Sequence, residues 1–429
     1  MTDKRKNDKK IQGNKKAFFF LRHNNDIDHI VPVLYKWLST QNIPTDVIII
    51  TKKSYLNDPR IKYLKQFKHV NIFHINDLFK KYSIPHFFNR YYFTYSTQAD
   101  NLIKKSNFVK KKVDKTIQRI SKKLFRGIEN GIVVFDWTTT YFVCQIVKIA
   151  KNKGFTTISL PHGDEPYFSM IQLKNVLDYR GLESYKPQEI FDYVVVPNYL
   201  CFRRYEKYME KNRIKVLGSP RYSDEWVSIV SKFIPSFSVD GSNNKLKIVF
   251  FLRNTGYPIF WEEVVRTIKL IMQFPEVYLI VKHHPRNTTA KKLTKKLLGI
   301  YPELKQNLDV NLKFIYDNVN SSSLMEWTDL IIDLGTSATW EPVKKGKPVL
   351  MLEYLHSNYS TIAHYIKNSE IKCRDQLYNA IQEFIQKKNY KFYNETEKQK
   401  FIKEIIDVPD KYVLDRYCKF LKKCLNEGK

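Results

Sequence analysis

Leu330-Ile331-Ile332-Asp333-Leu334-Gly335-Thr336-Ser337, continued by Ala338 to Lys345, Gly346-Lys347-Pro348 and Val349-Leu350-Met351-Leu352, decides the fold. The apolar run 330–334 suits a buried parallel strand. Gly335 breaks it, 338–345 has helical composition, Gly346 and Pro348 stop the helix, and 349–352 reads as the next strand. This order sets Thr336 and Ser337 past the carboxyl end of a strand and at the amino end of a helix, where open α/β sheets bind ligands. Unpaired N–H groups and the helix dipole favour a phosphate there, by about 0.3–1 kcal/mol at an exposed site. Glu341 lies one turn into the helix, spaced to accept bonds from ribose hydroxyls. The same turn also reads as a plain helix cap made by Thr336 or Ser337.

Working outward, the strand–helix–strand rhythm repeats on both sides. Ala17 to Leu21, Asp46 to Thr51, Val70 to His74, Gly131 to Phe135 and Thr156 to Leu160 read as strands, as do 194–197 and 215–217. Arg22 to His29 reads as a polar loop, with Pro32 in the first turn of the helix that follows. The alternation restarts with strands at Lys247 to Leu252, Val277 to Lys282 and 314–316, and helices close the chain. The prediction is an α/β protein of two Rossmann-like domains facing a cleft, with C-terminal helices. Its parts are a disordered basic tail (1–16), an acceptor domain (17–217), a Ser/Gly/Asn-rich linker (218–245), a nucleotide-donor domain (246–393) and a helical segment (394–429).

The chain has 429 residues, net charge +30 and a pI near 9.6. That balance implies an acidic partner: nucleic acid, anionic lipid or a phosphorylated substrate. No recognised RNA or DNA motif is present and aromatics do not interleave the basic runs, so nucleic acid is not expected. No apolar run is long enough to span a bilayer, and 1–16 lacks the apolar core of a secretory signal. The five cysteines are scattered and lack metal-site spacing, as in a reducing cytoplasm. Asn101 to Arg126 reads as one long helix. Leu102, Val109, Val113, Ile117, Ile120 and Leu124 form its apolar stripe. Lys104, Lys105, Lys110, Lys111, Lys112, Lys115, Arg119, Lys122, Lys123 and Arg126 stand between them against Asp114 alone. Such a face is either a solvated helix surface or a dock on an anionic membrane.

Polar clusters follow the strands: Arg22 to His29, Asp136 to Thr139, His162 to Glu165, Arg253 to Gly256, His283 to Arg286, and Gly335 to Ser337. In Lys282-His283-His284-Pro285-Arg286 the proline extends His284, which with Arg253 and Arg286 offers charge to a diphosphate. Of the two adjacent histidines only one faces a ligand, and His284 is the choice. His162, between Pro161 and Gly163, is placed as a general base; Asp26, Asp28 and Asp136 are alternatives. A metal held by Asp26 and Asp28 is not expected, since helix ends, Arg and His supply the charge. No Gly-x-Gly-x-x-Gly, Walker loop or Ser nucleophile elbow is present.

With these motifs the chain resembles the GT-B-type glycosyltransferases of bacterial surface-carbohydrate and capsule biosynthesis, a group related to the CDP-glycerol glycerophosphotransferases. The resemblance rests on Phe20 to His29, Pro161-His162-Gly163, Leu217-Gly218-Ser219-Pro220-Arg221, Lys282-His283-His284-Pro285, and Gly335-Thr336-Ser337 with Glu341 and Gly346-Lys347-Pro348. It implies His162 as base and His284, Thr336 and Ser337 as donor-phosphate binders, with Glu341 on ribose. Together with the scattered cysteines and the basic 101–126 helix, the reading is a cytoplasmic, membrane-peripheral transferase with no cofactor. That enzyme would move a sugar or glycerol phosphate from a nucleotide-activated donor, CMP- or CDP-linked by preference, to a glycan or glycolipid hydroxyl. A nucleotide-sugar 2-epimerase on the same fold is the main rival, and a non-catalytic nucleic-acid binder the other.

Overall fold

The computed structural model describes residues 15–22, 24–79, 97–137, 139–163, 189–253, 259–284, 290–316, 319–357, 360–387 and 391–427. They form two compact units, one drawn from 15–163, 189–230 and 407–427, the other from 231–406.

The first unit is a seven-stranded, all-parallel sheet in the order β3-β2-β1-β4-β5-β6-β7. Its strands are β1 (Lys15–Leu21), β2 (Thr45–Ile49), β3 (Val70–His74), β4 (Asn130–Asp136), β5 (Thr156–Leu160), β6 (Tyr193–Val196) and β7 (Ile214–Val216). The central strands are apolar on both faces because helices cover both, which is why they read as continuous runs rather than as alternation. Phe18, Phe20 and Phe135 are buried, and the Phe20 and Phe135 rings stack at 4.4 Å on neighbouring strands.

The second unit repeats the plan with six parallel strands in the order β10-β9-β8-β11-β12-β13. They are β8 (Leu246–Phe251), β9 (Val277–Lys282), β10 (Leu312–Ile315), β11 (Leu330–Asp333), β12 (Val349–Leu352) and the short β13 (Glu370–Ile371). Strand order reverses between β1 and β4 in one sheet and between β8 and β11 in the other. Crevices open at the carboxyl ends of such reversals.

Three expectations change. Arg22 to His29 is not a loop: the helix runs Asn24–Thr40, with Pro32 in its interior. Asp26 permits the early start by accepting from the Arg22 backbone N–H at 2.6 Å, as a first-turn acid does. The long basic helix is two helices, Thr97–Lys105 and Asn107–Leu124, because the Ser106 side chain caps the second. The break resets the phase, so Ile103 is buried and Leu102 is exposed.

Finally, 394–429 is not one segment. Helix Glu395–Phe401 stays with the second unit, whereas helix Val413–Asn426 packs on the first. Its Leu425 carbonyl accepts from Asn130 at 2.7 Å and its Tyr417 hydroxyl donates to the Gly218 carbonyl at 2.9 Å. Gly218 makes that docking possible. Its φ is +88°, and a Cβ there would lie 2.9 Å from Val413 Cγ2 and 3.0 Å from the Val408 carbonyl.

Candidate functional site

In the first unit, adjacent parallel strands deliver side chains to one place. Arg22 follows β1, Asp136 ends β4, and His162 lies just beyond β5. Asp26 joins from the first turn of helix Asn24–Thr40. Asp26, Asp136 and His162 are all buried. His162 Nδ1 lies 2.9 Å from Asp136 Oδ2 and 3.1 Å from Asp26 Oδ1. Arg22 Nη2 donates to the same Asp136 oxygen at 2.7 Å. Asn25 Nδ2 lies 3.3 Å from His162 Nε2, and Trp137 stacks on the imidazole at 5.3 Å.

Two carboxylates face the Arg22 guanidinium and the His162 imidazole, which adds a second positive charge when protonated. Burial opposes a charged His162, yet hydrogen bonds and attraction from Asp136 and Asp26 outweigh it and hold its pKa above the ordinary value. Burial, then repulsion from Asp136, pushes the Asp26 carboxyl up, against His162 and Arg22. The cluster therefore binds protons more tightly than its members would in water. Asn25 suits either state of the ring: its Nδ2 donates to a neutral Nε2, and a turned amide accepts from Nε2–H.

Among the described residues, Asp26, Asp136 and His162 also offer ligand atoms within 4.8 Å of one another. A divalent ion there would compete with Arg22 for the Asp136 oxygen, so these residues fit a proton network better than a metal centre.

Asp28 is not in this cluster. Residues two apart on a helix do not share a face. Asp28 instead accepts from Arg60 and lies 3.0 Å from Arg221 Nη1. Burial opposes its ionisation, but Arg221 and Arg60 prevail and lower its pKa. The Asp26–Asp28 pair that invites a metal or a shared base in the sequence is thus divided between two sites.

In the second unit the corresponding reversal carries Arg253, after β8, and Asp333, ending β11; both are buried. The Asp333 carboxylate accepts from the Thr336 backbone N–H at 2.8 Å, the Thr336 hydroxyl at 3.0 Å and the Thr339 hydroxyl at 2.9 Å. Burial raises its pKa against those bonds and Arg253. The donors on Thr336 that the sequence offers to a phosphate thus pin the turn to Asp333. Ser337 follows, half-buried, at the start of a single 3₁₀ turn. Glu341 is buried, accepting from Ser322 at 3.0 Å and Lys345 at 2.9 Å.

His283 and His284 part as adjacent residues at a strand end should. His283 is buried against Tyr316, rings 5.0 Å apart, and burial pulls its pKa down to about 4. It is a neutral core residue. His284 is half-buried just beyond β9. Arg286 lies outside the described residues.

Sequence reasoning gave no role of their own to Arg22, Asn25 or Trp137, which it carried only as members of the 22–29 and 136–139 clusters. The usable signal was position: Arg22 is the first polar residue after the apolar β1 run.

No protein-family model matches the chain, and no curated protein matches it in sequence. Solved structures do. UDP-GlcNAc 2-epimerase from Neisseria meningitidis bound to UDP-GlcNAc is similar at 13% identity and TM-score 0.56, over 96% of this chain and 100% of that one. UDP-GlcNAc 2-epimerase from Methanocaldococcus jannaschii is similar at 15% and 0.52, over 91% and 98%. A glycosyltransferase from Rickettsia africae is similar at 14% and 0.54, over 96% and 99%. These likenesses lend no support to the relation with CDP-glycerol glycerophosphotransferases. At such identities they establish the fold: the chain consists of two parallel-sheet Rossmann-like domains of the GT-B kind, as in UDP-GlcNAc 2-epimerases.

Proposed function

We propose that the protein acts on a nucleotide-activated sugar, and that inversion at a ring carbon is its reaction. The observation that carries this is the buried His162–Asp136–Asp26–Arg22 cluster at the strand-order reversal of the first sheet. Inverting a carbon that bears hydrogen removes a proton from one face and returns one to the other. Such chemistry needs buried groups with tuned proton affinity and a fixed cation to oppose developing charge. His162 and the coupled carboxylates supply the first, and Arg22 the second. The neighbours that are UDP-GlcNAc 2-epimerases make this reading the better supported one. They also move the preferred nucleotide from cytidine to uridine.

Nucleotide binding is proposed for the second unit, on Arg253, His284, Arg286 and Ser337. Thr336 would act by shaping the turn and Glu341 by accepting from ribose.

Glycosyl transfer is the second reading, favoured by the likeness to the Rickettsia africae glycosyltransferase. Incubation with UDP-GlcNAc alone in deuterated water separates the two. An epimer carrying deuterium at the inverted carbon supports inversion. Sugar consumption only after a glycan or glycolipid hydroxyl is added supports transfer. No uridine nucleotide binding by any measure would remove both.

A further inference from the structure

The cationic residues from Lys104 to Lys123 lie on the helices Thr97–Lys105 and Asn107–Leu124, Arg126 follows in the turn after the second, and each of those named in the sequence is exposed. The opposite stripe, including Val113, Ile117 and Ile120, is buried in the first unit. The single acid within the run, Asp114, accepts from the Tyr141 hydroxyl and so is turned to the protein. The outer face therefore carries one sign of charge with no interleaved carboxylate. It also carries two exposed apolar side chains, Phe108 at 66% and Leu102 at 43%. Lys112 Nζ stands 4.5 Å over the Phe108 ring, so charge and apolar surface are contiguous.

We propose that this face docks on an anionic lipid surface. The charge complementarity is diffuse: lysines predominate over arginines, giving point charges suited to a layer of head groups rather than the planar forks that read phosphates or bases one by one. Phe108 and Leu102 supply apolar area to sink into the head-group boundary. Among the described residues no helix is long and apolar enough to cross a membrane. The inference stands on these helices alone and is independent of the chemistry proposed above.

The test is co-sedimentation of the full chain with phosphatidylcholine vesicles, with and without phosphatidylglycerol. Binding is expected only with phosphatidylglycerol, weakening as salt rises. Lys110→Gln/Lys111→Gln/Lys112→Gln should weaken it roughly a hundred-fold, at roughly five-fold per lysine. Phe108→Ser should weaken the part that survives high salt. Lys292→Gln/Lys295→Gln/Lys305→Gln, an equal charge change on exposed lysines of the second unit, should leave binding intact. The four residues changed in these two variants, Lys110, Lys111, Lys112 and Phe108, are all exposed, and an unchanged thermal midpoint confirms that the variants fold. Equal binding to neutral vesicles, equal loss in both triple variants, or tighter retention on RNA than on anionic vesicles would overturn the proposal.

Discussion

His162 Nδ1 sits 2.9 Å from Asp136 Oδ2, in a cluster where Asp26 approaches the same nitrogen. Because these carboxylates outweigh burial, the imidazole titrates above its ordinary 6.5. A folded-state pKa raised above the unfolded one stabilises the protein below the unfolded value, and that gain is lost as pH rises through the folded value. NMR titration of the His162 ring should place its midpoint above 6.5 and move it down in Asp136→Asn. An unmoved midpoint would show that Asp136 does not set the proton affinity of the ring.

Asp28 predicts a different behaviour from Asp26, although the two are two residues apart. Its lowered pKa means that its contribution is present above the unfolded value near 3.8 and is lost as pH falls through the folded value. Asp28→Asn leaves Arg60 and Arg221 facing a neutral group. For a fully buried pair that costs about 3–5 kcal/mol; these groups retain some exposure, so roughly 2–3 kcal/mol is expected. Denaturant unfolding should show that loss, while turnover per folded molecule stays near wild type. A variant of unchanged stability and abolished turnover would return Asp28 to the list of bases.

Gly218→Ala tests how the chain end docks. A methyl group would meet Val413 and the Val408 carbonyl at a φ of +88°. Strain and displacement together should cost roughly 1–3 kcal/mol. Thermal unfolding should shift down, and protease should cut the C-terminal helix sooner than in wild type. Equal stability would mean that the helix tolerates a shift at this contact.

The strands were legible because a parallel sheet covered on both faces writes each strand as a plain apolar run, as in Phe18 to Leu21 and Leu330 to Leu334. What followed the strands was legible as place but not as partner. His162 and Asp26 were both candidates, yet nothing in the spacing told that Asp136 joins them or that Asp28 turns away. Those outcomes depend on strand order and on helix phase, which begins at Asn24 rather than at Pro32. The return of Val413–Asn426 to the first unit was hidden for a similar reason: an amphipathic stripe shows that a helix is covered, not by what. Ser106 and Gly218 are residue types suited to a helix cap and to a left-handed turn, but reading one long helix and one linker passed over both.

The turn that first suggested nucleotide binding gives the last test. Thr336 donates twice to Asp333, so its loss should loosen the turn before it touches a ligand. Ser337 is half-buried and begins the 3₁₀ turn. Thermal shift with UDP, CMP, CDP and GDP therefore separates the two residues. Thr336→Val removes the hydroxyl bond while keeping the N–H bond, and should lower the unliganded midpoint by an amount equivalent to about 1 kcal/mol, with the uridine response retained. Ser337→Ala should weaken the response to UDP by several-fold in concentration relative to its own unliganded midpoint, as His284→Ala should. If UDP stabilises the wild type and both Ser337→Ala and His284→Ala respond equally well, the nucleotide lies elsewhere. If CMP or CDP shifts the midpoint further than UDP does, the cytidine preference read from the sequence motifs is restored.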